Sequence, residues 1–209
     1  MIQAIKKFCK ESEVVRALWH MTTITSAMLL FYFTDARGAY FMLLLGMILI
    51  FCDLERVRWE NSGKTLPRWV TFLIREDEVG RFSGLGHFVI AGVIIVFCHV
   101  VFGLPKEIIL CGAMFVAIGD PMARLVGKNI KIVKIIGTNK SLAGSIAFFV
   151  TGFLSAAIIC MIVGARFSWT GLALGGICGT LIELYSKRWD NFTVPLWTTF
   201  IIWGVKLVT

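Results

Sequence analysis

The sequence predicts an all-α fold, a polytopic transmembrane helix bundle of about seven spans, and three observations carry that prediction. Hydrophobic residues make up 57% of the 209 and charged residues 16%, against about 45–50% and about 25% in ordinary soluble domains. Mean hydropathy is +0.81. The apolar residues gather into seven runs, and the basic residues fall almost entirely in alternate gaps between them.

The runs lie near 18–34, 38–52, 84–103, 107–119, 142–164, 168–185 and 192–208. Ahead of the first stand Lys6, Lys7, Lys10, Glu11, Glu13 and Arg16, with no small-residue cleavage site after it, so that run is expected to stay as a span. The second and fourth fall short of the roughly 20 residues a straight span needs. They must continue into polar neighbours or be shielded by protein. Between the second and third runs, the basic stretch 53–83 contains Leu66-Pro67-Arg68-Trp69-Val70-Thr71-Phe72-Leu73-Ile74, suited to a helix in the headgroup zone. Six scattered cysteines show no CxxC and no metal-ligand spacing, and read as packing residues. With no repeat and no Pro- or Ser-rich linker, residues 1–209 read as one domain.

Sidedness follows from the Lys and Arg distribution. Seventeen of the 21 fall on one side: the N-terminus, the 53–83 loop, the 120–141 loop and Lys187-Arg188. Only Arg37, Lys106, Arg166 and Lys206 fall on the other. The N-terminus is therefore expected in the cytoplasm and the C-terminus outside, in a prokaryotic plasma membrane. The net charge of +8 then reads as anchoring to anionic lipid, with no nucleic acid involved.

The densest polar motifs share that cytoplasmic face. Asp120-Pro121 closes the fourth run; a carboxylate there suits a helix cap and equally a Mg²⁺ ligand. Gly137-Thr138-Asn139-Lys140-Ser141-Leu142-Ala143-Gly144-Ser145 precedes the fifth run. Glycines, a helix start and a lysine suit a phosphate, although a plain loop and cap would hold the same residues. Glu183 and then Asp190-Asn191-Phe192-Thr193-Val194-Pro195-Leu196 open the last run, where buried polar groups are costly unless bound to something. His99 lies in an apolar run and reads as a packing residue. Glu76, Asp77, Glu78 and Arg81, ahead of Ser83-Gly84-Leu85-Gly86-His87, read as a lid or as a solvated loop.

Taken in order, these motifs resemble the CTP-dependent lipid kinases: dolichol kinase, phytol kinase and CTP-dependent diacylglycerol kinase, relatives of phosphatidate cytidylyltransferase. Glu13-Val14-Val15-Arg16-Ala17-Leu18-Trp19-His20 resembles the family's N-terminal motif. Asp120, Ala123 and Gly127 match its nucleotide motif, Lys140, Ser141, Gly144 and Ser145 its Lys-Ser/Thr segment, and Asp190 to Leu196 its terminal signature. The chain departs from the pattern at Ala17, Lys131 and Ala143, which puts the nucleotide donor in question.

The resemblance implies transfer of the terminal phosphate of CTP, or of another nucleoside triphosphate, to a lipid alcohol at the cytoplasmic surface. Asp120 and Asp190 would hold Mg²⁺ with Asn191 in support. Lys140 and the amides from Ser141 to Ser145 would meet the phosphates, joined by Arg16 and Arg81. His20 or Glu13 would accept the alcohol proton, while a helix-helix hydrogen bond is the structural alternative for His20. A cytidylyltransferase would use the same groups and release pyrophosphate instead. A transporter would place charges along a path through the midplane, whereas here they lie at the ends of the runs.

Overall fold

A computed structural model of the chain describes residues 2–67, 78–130, 134–135, 138, 140–186 and 189–208; for residues 2–13 and for Arg16 it describes the backbone alone. Each of the seven apolar runs lies on a helix: α1 (Ile2–Phe33), α2 (Ala36–Asn61), α3 (Gly84–Phe102), α4 (Lys106–Asn129), α5 (Leu142–Ile162), α6 (Trp169–Tyr185) and α7 (Asp190–Val208). Among the described residues there is no strand, only an isolated bridge between Lys134 and Ser141. Hydrocarbon offers no water to backbone N–H and C=O groups, and a helix satisfies them within itself.

The helix ends carry local signals. Ser83, Ser141 and Ser168 each accept the N–H three residues on, from Gly86, Gly144 and Gly171, which fixes the starts of α3, α5 and α6. Gly103, at φ 70°, closes α3 in the left-handed conformation.

By length and hydropathy, four described helices are able to cross a membrane: α2, α3, α4 and α5. The apolar part of α1 is Ala17–Phe33, and α6 has 17 residues. The expectation of about seven spans is thus met in helices, but in only four by those two criteria. Interior helices need less apolar surface, because their neighbours shield them.

The two short runs are accommodated as expected. α2 continues through Asp53, Arg56 and Glu60 as far as Asn61, and exposes Tyr40, Phe41, Leu44, Ile48 and Phe51 along its length. α4 is the central rod: Ile108 through Ala117 are all buried, packed by α1, α5 and α7. α6 lies against α7, and α3 bridges α2 and α7. His99 on α3 packs edge-on against Phe31 and bonds the Leu104 carbonyl at 2.6 Å, as a packing residue should. Cys111 and Cys160 are buried between α4 and α5, and Cys52 is exposed. The amphipathic stretch from Arg68 to Ile74 lies outside the described residues.

The C-terminal parts of α4 and α6 and the N-terminal parts of α3, α5 and α7 line one cavity, and the end of α2 packs behind the start of α3.

Candidate functional site

The wide π turn Phe115–Gly119 interrupts α4 immediately before Asp120. Pro121 has no N–H to give to the preceding turn, and such irregularities accommodate that loss. Asp120 itself is helical, at φ −63° and ψ −48°, so the rod runs through it. Its carboxylate caps no new helix, which removes the capping alternative. Asp120 is 4% exposed, and its Oδ2 lies 2.9 Å from Arg124, one turn along the same face.

Arg124 connects two helices. Its guanidinium is also 3.9 Å from Oδ2 of Asp190, the first residue of α7. Asp190 divides its oxygens: Oδ1 accepts the Asn191 N–H at 2.9 Å, while Oδ2 stands 3.6 Å from Lys140. Lys140 also pairs with Glu183, a carboxylate that is 3% exposed near the end of α6. Asp120, Arg124, Asp190, Lys140 and Glu183 therefore form one chain of alternating charge across α4, α7, the α5 entry and α6. A carboxylate as enclosed as Glu183 needs such a partner.

This network borders a cavity of about 630 Å³ that all three sequence motifs line. Ala123, Gly127, Lys140, Ser141, Gly144, Ser145, Asp190, Asn191 and Arg81 all face it, with Asp120 beneath Arg124. Gly127 and Gly144 allow α4 and α5 to touch: a Cβ on Gly144 would lie 2.9 Å from the Ala123 carbonyl, and one on Gly127 2.9 Å from the Ser141 hydroxyl. Their service is close helix packing. Of the amides from Ser141 to Ser145, that of Gly144 bonds the Ser141 hydroxyl and that of Ser145 the Ser141 carbonyl. Leu142 and Ala143 supply the N–H groups that a helix start leaves to outside partners.

Sequence reasoning missed what supports the α3 side of the cavity from behind. Near the end of α2, Arg56 pairs with Asp53 at 2.7 Å and with Glu60 at 3.0 Å, all three side chains nearly buried. They grip the segment that opens α3. Asp53 accepts the Ser83 N–H and hydroxyl at 2.9 and 3.0 Å, Glu60 accepts the Gly80 N–H, and Arg56 donates to the Arg81 carbonyl. Glu78 accepts the Gly84 N–H at 2.8 Å. The described part of the expected lid, Glu78 to His87, is thus held in place. A Cβ on Gly84 would lie 2.5 Å from Nδ2 of Asn191, so only glycine admits that approach of α3 to α7. The available signal was three charged residues, Asp53, Arg56 and Glu60, on one face at i, i+3 and i+7.

Of the proposed bases, His20 is half-buried and does not line the cavity. The side chains of Glu13 and Arg16 lie outside the described residues, as do Glu76 and Asp77. Among the described residues, no group of three or more His, Cys, Asp or Glu side chains forms a metal cage. Mg²⁺ asks for less, being held by one or two carboxylates together with substrate phosphates. Asp190 lines the cavity as such a ligand must, whereas Asp120, paired with the same guanidinium, has both carboxylate oxygens enclosed and is not in the cavity lining.

An uncharacterized protein of Rickettsia prowazekii is 27% identical over 188 residues, covering 88% of this chain and 90% of its own length. The dolichol kinase of Saccharomyces cerevisiae is 27% identical over 206 residues, 93% of this chain and 37% of the kinase. CTP-dependent diacylglycerol kinase 1 of Eremothecium gossypii is 28% identical over 216 residues, 90% of this chain and 66% of that enzyme. The chain therefore spans about a third of the first kinase and just under two thirds of the second. No protein-family profile and no solved structure matches it. The resemblance to CTP-dependent lipid kinases holds over most of the chain.

Proposed function

We propose that this chain is a membrane-embedded kinase that moves the terminal phosphate of CTP, or of another nucleoside triphosphate, to the hydroxyl of a lipid alcohol such as a polyprenol, phytol or diacylglycerol. The observation that carries this reading is the meeting of three separate motifs, through Arg124, Lys140 and Asp190, at one cavity on one end of the bundle. Phosphoryl transfer asks a protein chiefly for positioning and charge neutralisation. Lys140, Arg124 and Arg81 offer cations to a polyphosphate, and Leu142 and Ala143 offer helix-start N–H groups. Among the described residues no carboxylate pairs with the Arg81 guanidinium, which leaves it to an anion.

Mg²⁺ would be held by Asp120 and Asp190, and when bound it neutralises charge on the phosphates. Nucleotide entry then requires Arg124 and Lys140 to exchange carboxylate oxygens for phosphate oxygens. Trp189, 58% exposed in the cavity lining, and Tyr185, 69% exposed at the end of α6, suit the headgroup level where a lipid hydroxyl resides. The basic loops at this end support a cytoplasmic placement.

The test is product analysis. Purified protein in lipid nanodiscs, given γ-labelled CTP or ATP and a panel of lipid alcohols, should yield a labelled lipid monophosphate and a nucleoside diphosphate. Pyrophosphate with a CMP-bearing lipid would replace this reading with a cytidylyltransferase, and no transfer to any alcohol would end it.

A further inference from the structure

Both sequence candidates for the proton acceptor leave the cavity without a described base, yet one histidine does line it. His87 sits in the first turn of α3, beside Lys140, Arg124 and Asp190 in the cavity wall. Its Nδ1 lies 2.9 Å from the Ser83 carbonyl oxygen. A carbonyl oxygen only accepts, so Nδ1 carries the proton, and the neutral ring keeps its lone pair on Nε2.

The ring is also held in plane. Phe82 and Trp189 meet it edge-on, with centroids 5.8 and 4.9 Å away. Ser83 is fixed in turn by Asp53 of α2, so a chain of contacts from α2 sets both the tautomer and the direction of the imidazole. Among the described residues nothing bonds Nε2, and it is not enclosed. A preset acceptor that opens into a cavity lined with cations is what a hydroxyl nucleophile requires.

We infer that His87 is a catalytic residue that accepts the proton of the lipid hydroxyl through Nε2. This rests on the kinase reading above. As the alcohol oxygen bonds to the terminal phosphorus, its proton passes to Nε2. The bond between that phosphorus and the bridging oxygen breaks, and the nucleoside diphosphate leaves with the electron pair. His87 then returns the proton to water.

The experiment compares wild-type protein with His87→Ala and His87→Asn in nanodiscs. His87→Ala should lower kcat about 100-fold or more, within the range for a lost general base, while nucleotide affinity with Mg²⁺ changes less than about twofold. Added imidazole should restore part of the rate; 1,2,4-triazole, of the same size and far less basic, should not. His87→Asn retains an N–H donor for the Ser83 carbonyl but no Nε2, so it should fold and show the same loss even where the alanine variant does not. Wild-type kcat in a folded variant, or equal rescue by both azoles, would overturn the assignment and leave the kinase reading intact. Absence of phosphate transfer by the wild-type protein would remove both.

Discussion

Asp120 shows how a single residue changes meaning once its backbone is known. Beside Pro121, an aspartate reads equally well as a cap or as a ligand; inside a helix that continues through it after a π turn, 4% exposed, it is a buried carboxylate held by Arg124. Asp120→Asn preserves shape and removes charge, so transfer should fall at least about 100-fold, roughly 2.7 kcal/mol in the barrier, with little change in melting temperature. Near-normal turnover would refute a metal role. Gly84 makes a separate forecast. With Asn191 2.5 Å from where its Cβ would stand, Gly84→Ala forces α3 away from α7 and should weaken nucleotide binding as well as stability. Thermal-shift titration with Mg·CTP would detect both effects, and unchanged nucleotide protection would show that the approach of these helices does not shape the site.

At the scale of elements, the support that α2 gives to the α3 side of the cavity depends on one cation among two acids. Arg56, Asp53 and Glu60 side chains are about 9%, 11% and 8% exposed, and losing one partner of such a cluster typically costs about 3–5 kcal/mol. Arg56→Met should therefore release the grip on Gly80, Arg81 and Ser83. Hydrogen exchange at those amides should quicken while α5 and α6 remain protected, and unchanged exchange would mean that the segment holds itself. The α2 cluster was not singled out in the sequence, for a physical reason. Asp120, Lys140 and Asp190 stand out because each adjoins an apolar run. Asp53, Arg56 and Glu60 instead look like the solvated continuation of a helix, and only tertiary packing turns them toward Ser83. The helices themselves were legible, since seven apolar runs, four of them on helices of span-like length and hydropathy, leave the backbone little choice. The meeting of Glu183 with Lys140 was not, because 43 residues separate them and no local period records which helix ends become neighbours.

The whole molecule divides its polar chemistry unevenly between its two ends. One end holds the cavity and the charge network; among the described residues, the other has the turns near Asp35, Leu104 and Arg166 and a Lys206–Glu107 pair at 2.9 Å. On the proposed topology, the 17-to-4 distribution of Lys and Arg would put the cavity end in the cytoplasm, where both nucleotide and anionic lipid are present. Lys134 and Arg166 mark the two ends on exposed positions, so each can carry a reporter cysteine in a background cleared of native thiols. An impermeant maleimide added to intact cells should label Arg166→Cys at once and Lys134→Cys only after permeabilisation. The four-span count by length and hydropathy leaves room for a different path of α1, α6 or α7, and this pair of labels decides the matter for the site itself. If Lys134→Cys reacted from outside, the cavity would face a compartment without nucleoside triphosphate, and the kinase reading would lose its donor.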